Sequence, residues 1–535
     1  MTMIGGRPMY RRRLLEAGAA GLAALAVPQV GRAADAGVLK FVPQADLASL
    51  DPMWTTSYVT RNHGYMVYDT LYGLDEQYRS RPQMVEGHQV GADGLEWTLT
   101  LREGLKFHDN EPVLARDAVA SIGRWGKRDP FGQALLAATA ELSAPADRTI
   151  RFRLRRPFPL LPNALGKAPS FMPCIMPERL AQTDAITQVT DPVGSGPFRF
   201  LPDERVQGAH FAYARFPGYV PRQEAPSFTA GGKAAQFERV EWHVIPDPAT
   251  ASAALQSGEV DWWEQPTADL APMLRRTRTL VVEIIDPTGV IGTIRFNTTQ
   301  PPFDDPAVRR ALLGAFDQAD FMTAVAGSDR SFWKAGVGYF CPESPMASDA
   351  GLAALALVDP AITKGKLAAA GYHGAKTVLL GASDFPSINA MSQVAASVLG
   401  NVGIAVDYQA MDWGTVTQRR LSKAPADKGG WSAFFTAAAG LEMFDPTGHN
   451  QIRGNGRDAW FGWPESPKLE ALRDAWLTAP DTAAQQEAAR HMQIQALEDV
   501  PYIPLGQFYQ PTAYDKSLTG ILKGGFALFC NVRRS

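Results

Sequence analysis

The residues best suited to chemistry in this 535-residue chain are eight histidines, three cysteines and a large aromatic complement of 12 tryptophans, 14 tyrosines and 26 phenylalanines. None is spaced for catalysis. The histidines form no i, i+4 pair, and no HExxH, GxSxG or GxxxxGK[ST] motif occurs. Cys174, Cys341 and Cys530 are far apart, so at most one bridge could form and no zinc site is legible. Acid pairs such as Asp304-Asp305 precede a proline, where a carboxylate caps a helix, and His108 beside Asp109 reads as structural. No metal or cofactor is implied. What remains is binding chemistry. Trp54 and Tyr58 follow Leu50-Asp51-Pro52, and Trp413 follows Met411-Asp412. Such flat faces bury much area at low entropic cost and suit the sandwiching of a solute.

These side chains need a large scaffold, and the composition supplies one. Hydrophobic residues make up 45% and charged residues 20%, the balance of a chain that buries a large core. Asp93-Gly94 is a turn before Glu96 to Leu101, whose alternation marks a half-buried strand, and Ile150, Phe152 and Leu154 repeat that period. With the apolar segment Ala115 to Trp125 they make a compact α+β piece. Val240 to Ile245, a helix Ala249 to Ser257 capped by Asp247-Pro248 and ended by Gly258, and a strand from Val260 make a β-α-β unit. A second α/β body follows. Its elements are a helix from Asp305-Pro306 through Ala315, strands at Thr377 to Leu380 and Ile404 to Tyr408, and helices over Phe385 to Leu399, Ser466 to Leu477 and Thr482 to Glu498.

The first 36 residues read as an export signal. Arg11-Arg12-Arg13 precede an apolar stretch from Ala17 to Val27, and cleavage follows Ala33 or Ala36. The stretch is about half of the ~20 residues a spanning helix requires. Paired arginines before Leu14-Leu15 point to the twin-arginine route and a soluble, exported product, although Glu16 departs from that pattern. The chain holds 52 basic against 55 acidic side chains, and five of the arginines lie in the signal, which leaves no basic field for nucleic acid.

Several blocks resemble the peptide/nickel/oligopeptide cluster, family 5, of extracytoplasmic solute-binding proteins that serve ABC importers. They are Asp93 to Asp109, Pro192-Val193-Gly194-Ser195-Gly196-Pro197-Phe198, Ile245-Pro246-Asp247 with Ala254 to Asp261, and Phe296-Asn297-Thr298-Thr299 with Pro302 to Leu312. The resemblance implies an α/β, two-lobed periplasmic binding protein fold, type II-like, with an extra small α+β domain on the first lobe. Lobe one is expected over 37–72, 188–291 and 504–535, the extra domain over 73–187, and lobe two over 292–503. It implies a non-catalytic, monomeric periplasmic receptor that traps a small-molecule solute between the lobes and delivers it to membrane permease subunits. A sensor or chaperone subunit on the same scaffold is the alternative, and a secreted hydrolase using a carboxylate pair is the competing enzyme reading.

The resemblance also suggests where the solute sits. Trp431 and Phe434 fall where the family carries a cleft-lining Trp-x-x-Asp pattern, and Trp263, from its place just after the strand of the β-α-β unit, is expected where a strand end meets the cleft. In peptide-binding members that aspartate pairs with the α-ammonium. Here Phe434 replaces it, so a generic peptide is disfavoured unless Glu442 substitutes as the acid. His449 and Arg453 are expected to meet a polar or anionic group. One outcome follows from the signal alone. Changing Arg11 and Arg12 together to lysine should leave precursor in the cytoplasm in a fractionation assay, and undiminished export would refute the twin-arginine route.

Overall fold

The computed structural model describes residues 37–356 and 358–535, so the segment read as an export signal, 1–36, lies outside them. A seven-stranded mixed sheet runs, in spatial order, Phe198–Phe200, His210–Arg215, Arg239–His243, Val38–Val42, Trp262–Trp263, Thr512–Asp515 and Leu280–Glu283. Val38–Val42 is parallel to both Arg239–His243 and Trp262–Trp263. The expected β-α-β unit therefore exists, with the first strand of the body inserted between its two strands. Its helix, Pro248–Ser257, starts where Asp247 accepts the Thr250 N–H at 2.8 Å and ends at left-handed Gly258. Strand alternation sends Phe41, Trp242 and Trp262 to one face, where they pack around Phe529 at centroid separations of 4.8–5.6 Å.

The small α+β piece is an antiparallel sheet in the order Val85–Val90, Glu96–Leu101, Thr149–Leu154, Thr139–Ala146. Its register sets Trp97 opposite Phe152 and Leu99 opposite Ile150, so the alternation seen in both segments forms a single apolar face. Helix Ala115–Trp125 contacts that sheet. The helix is also tied to the main body by a buried ion pair. Arg124 Nη2 lies 2.6 Å from Asp51 Oδ2, their side chains are 1% and 0% exposed, and Asp51 also accepts the Met53 and Val189 N–H groups.

The second large sheet runs Trp333–Lys334, Tyr502–Phe508, Val290–Phe296, Ala433–Ala439, Lys376–Ala382, Ala405–Met411. Two expected boundaries move as a result. The divisions at 291/292 and 503/504 would cut the strands Val290–Phe296 and Tyr502–Phe508, which pair with each other in this sheet. The chain instead passes between sheets at 284–289 and 509–511. The helices expected from Asp305, Ser466 and Thr482 all form, capped by Asp305, Ser466 and Asp481. All three cysteines are buried and free, so the bridge that the count permitted does not form.

Removing one member of a buried pair strands the other charge. Asp51→Ala is expected to lower unfolding free energy by about 3–5 kcal/mol, measured by urea denaturation. A loss below about 1 kcal/mol would mean that Arg124 is rehydrated and that the pair is not what anchors this helix.

Candidate functional site

A cavity of about 520 Å³ lies between the two bodies, with Tyr58, Asp129, Lys167 and Ser170 on one side and Trp413, Arg420, Glu442, His449 and Trp460 on the other. Glu442 crosses between the walls. It sits in the 3₁₀ turn Gly440–Met443 directly after the Ala433–Ala439 strand. Its carboxylate accepts the Tyr58 hydroxyl at 3.1 Å, and Ser170 Oγ is 2.9 Å from the other oxygen. Tyr58, the first residue of helix Tyr58–Val67, also accepts the Ala439 N–H at 3.2 Å. Burial, reinforced by the Glu442 charge, raises the Tyr58 phenol far above its ordinary range and keeps it a neutral donor.

The cation on the facing wall is Arg420, which follows the last turn of helix Trp413–Arg419. Its guanidinium lies 4.4 Å from the Phe461 ring centroid and 5.5 Å from those of Trp413 and Trp460. Burial lowers its pKa only to about 10, so it stays charged at neutral pH. Among the described residues no carboxylate pairs with it, and its Nε has no hydrogen-bond partner. Trp413, Thr417 and Arg420 all line the cavity. Their i, i+4, i+7 spacing puts them on one helix face, a signal present in the sequence and not used. Beside Glu442, Lys167 is already satisfied by Asp129 and by the Ser170 carbonyl at 2.8 Å.

Of the residues singled out from sequence, Tyr58, Trp413, His449 and Glu442 line this cavity, whereas Trp54, Trp263, Trp431, Phe434 and Arg453 do not. Trp431 and Phe434 are fully buried and pack edge to face at 5.1 Å. Phe434 shares a strand face with Thr436 but lies beneath Trp460, 5.6 Å away, which occupies the cavity wall in its place. Trp263 belongs to a small apolar cluster with Val42, Leu255 and Leu274. The Trp54 indole donates to the Ile186 carbonyl at 2.8 Å, and Arg453 pairs with Glu470 at 3.1 Å. His108 joins its Nε2 to the Gly196 carbonyl at 3.0 Å and accepts the Gly194 N–H. That loop needs glycine because a Cβ on Gly194 would lie 2.0 Å from the Val67 carbonyl oxygen.

His449 stands in the cavity wall. Its Nε2 is 2.7 Å from the Tyr339 carbonyl and 3.0 Å from the Tyr502 hydroxyl. Burial depresses its pKa to about 3, and the Arg295 and Arg473 charges add to that effect. It therefore faces the cavity neutral and supplies no cation to an anionic group. Its Nδ1 has no hydrogen-bond partner among the described residues.

Two α/β bodies joined by paired passages, with a charged and aromatic cavity between them, define a two-lobed solute receptor. Residues 80–457 match the family described as bacterial extracellular solute-binding proteins, family 5 Middle, and the chain belongs to that family. It is a periplasmic solute-binding component of an ABC importer, whose partners are membrane permease subunits. Over 531 residues, 98% of this chain and 99% of its relative, it is 37% identical to the probable peptide ABC transporter periplasmic-binding protein y4tO of Sinorhizobium fredii. It is 26% identical over 534 residues, 96% of each chain, to the glutathione-binding protein GsiB of Pectobacterium atrosepticum. The fold is similar to that of DppA from Helicobacter pylori in complex with the peptide STSA, with a TM-score of 0.77 and 22% identity, covering 93% of this chain and 98% of that one. AgaA from A. tumefaciens R10 in complex with agropinic acid matches with a TM-score of 0.74 and 21% identity, covering 93% and 99%. Among the described residues no helix is long and apolar enough to cross a membrane.

The neutral His449 has a consequence for stability. Its pKa in the fold lies below that of an unfolded histidine, about 6.5, so the unfolded chain binds the proton more tightly. Its contribution is fully present above about pH 6.5 and is lost as pH falls toward 3. Melting temperature followed across that range should fall with acid, and His449→Gln should flatten the slope. An unchanged slope would show that the imidazole titrates normally in the fold.

Proposed function

We propose that the captured solute is a small amphoteric molecule bearing an amine and a carboxylate, of the peptide or amino-acid-conjugate class. The observation that carries this reading is the pairing of opposite charges in one cavity, Glu442 bonded across the lobes and Arg420 with no acid partner among the described residues. A desolvated ammonium gains Glu442 as its partner, and a carboxylate gains the Arg420 guanidinium. Trp413 and Trp460 supply apolar faces between them. Phe434 argues against peptides because the family's acid is missing at that position; Glu442, eight residues later, lines the cavity and supports the alternative in which it substitutes as the acid. The relatives named for peptides and for glutathione are consistent with this class.

In this reading the protein works by binding alone, as a monomer, with no reaction and no cofactor, and its precursor leaves the cytoplasm by the twin-arginine route. Lobe closure about the two passages would bury the solute and present one closed shape to the permease.

Isothermal titration with a mixed peptide library and a set of non-peptide solutes tests the class. A solute with both a free amine and a free carboxylate should bind best. Glu442→Gln and Arg420→Met should each weaken it by about 2 kcal/mol or more. Blocking the amine should remove the effect of Glu442→Gln and leave that of Arg420→Met. Tight binding of a neutral or purely anionic solute, insensitive to Glu442→Gln, would overturn the proposal.

A further inference from the structure

A second group of ligand-type side chains lies on the seven-stranded sheet, and none of them lines the cavity. His210 opens the strand His210–Arg215 and stands directly across from His243, the last residue of Arg239–His243. Glu241, two residues before His243, shares that face by strand alternation, while Phe211 and Trp242 point to the core with 0% exposure. One donor atom from each of His210, Glu241 and His243 lies within 4.8 Å of the other two.

The surrounding contacts orient these donors. His210 Nδ1–H donates to the Glu204 carbonyl at 3.3 Å, so Nε2 is the ring nitrogen that remains to meet a metal. That Nε2 has no hydrogen bond among the described residues and lies 4.0 Å from Glu241 Oε2. His243 Nε2 is 3.3 Å from the same oxygen. Arg239 Nε donates to the other oxygen, Oε1, at 2.6 Å and turns Oε2 toward the imidazoles. A hydrogen bond accounts for His243 and Glu241, but it does not account for the unshared Nε2 of His210.

We propose that His210, Glu241 and His243 form a binding site for a divalent transition-metal ion of the zinc type, with an external ligand such as water completing a tetrahedron. Two imidazoles and one carboxylate suit Zn²⁺ and its borderline neighbours; Mg²⁺ and Ca²⁺ require oxygen donors. Bonds of about 2.0–2.1 Å in a tetrahedron separate donor atoms by roughly 3.3 Å. The Glu241–His243 spacing already meets that value; His210 must close from 4.0 Å on Glu241 and from no more than 4.8 Å on His243. The ion replaces the proton that His243 Nε2 shares with Glu241, and that proton leaves to solvent or moves to Nδ1. Cross-strand register holds two of the ligands in place before metal arrives, so the ion clips the second strand of the sheet to the third.

The test uses tag-free, chelator-treated mature protein titrated with ZnCl₂ in a calorimeter, with Co²⁺ absorption as the geometric readout. One ion per chain is expected, with the intense visible bands of tetrahedral Co²⁺. His210→Ala, Glu241→Gln and His243→Ala should each weaken binding about tenfold or more, and His491→Ala, at an exposed position elsewhere, should leave it unchanged. Zinc should raise the melting temperature of the wild-type protein and not that of the histidine variants. His210→Gln, which keeps a donor for the Glu204 carbonyl, separates loss of ligation from loss of folding, since it should melt normally without metal and still fail to bind. Absence of saturable Zn²⁺ binding, or binding that survives the His210 and His243 substitutions, would overturn the site.

Discussion

The architecture depends on two short passages of chain that touch. Among the described residues, the sheet beginning at Val38 and the sheet beginning at Val290 are joined at 284–289 and at 509–511. Gly289 has a positive φ of 54°, and a Cβ there would meet the Phe508 carbonyl oxygen at 2.7 Å and the Tyr509 ring at 2.8 Å. Only glycine allows that approach. Asp286 holds the Thr288 N–H at 2.9 Å, and Gln507 Nε2 donates to the Thr288 carbonyl at 2.6 Å, so each passage supports the other. Burial raises the Asp286 carboxyl to about 6. Two adjacent tethers are what rotation of one body against another requires, since the φ/ψ change is confined to a few residues while both sheets stay intact.

With the bodies held at these passages, opposite walls approach closely enough for side chains to meet across the cavity. The Tyr58–Glu442–Ser170 contacts depend on this, because they join a helix start and a loop of one wall to a turn of the other. A carboxylate in such a place is tolerated because two hydroxyls neutralise part of its desolvation cost while lone-pair positions remain open. Arg420 is tolerated for a different reason. Its planar cation lies against aromatic faces, which offset lost hydration without neutralising the charge. The Lys167–Asp129 pair beside them is closed on itself and adds polarity without net charge. The cavity thus presents one acid and one base with unused capacity, both built into the walls before a solute arrives.

Much of the fold was legible because it is written in local rules. An acid or serine before proline starts a helix at Asp247, Asp305 and Ser466, since its oxygen meets unpaired N–H groups one turn away. The alternation Trp97, Leu99, Leu101 and its echo at Ile150, Phe152, Leu154 foretold two strands and one face. The site was less legible. Tyr58, Trp413 and Glu442 reach the cavity, whereas Trp431 and Phe434 sit one layer below it, because Trp460 from a distant loop covers them. The helical spacing of Trp413, Thr417 and Arg420 was present in the chain, yet nothing local said which face of that helix would meet the cavity.

The sequence by itself determined the kind of molecule: its capped helices, its alternating strands, its lack of catalytic spacing and its resemblance to a receptor family. Each of these is a property of a few neighbouring residues or of their order along the chain. Tertiary structure decided which aromatics are wall and which are core, that His449 is neutral, and that no acid among the described residues pairs with Arg420. It also brought His210 beside His243 across paired strands, a separation that no i, i+4 search detects. The reason is physical: burial, charge partnership and cross-strand proximity belong to whatever element packs over a residue, and that element comes from elsewhere in the chain.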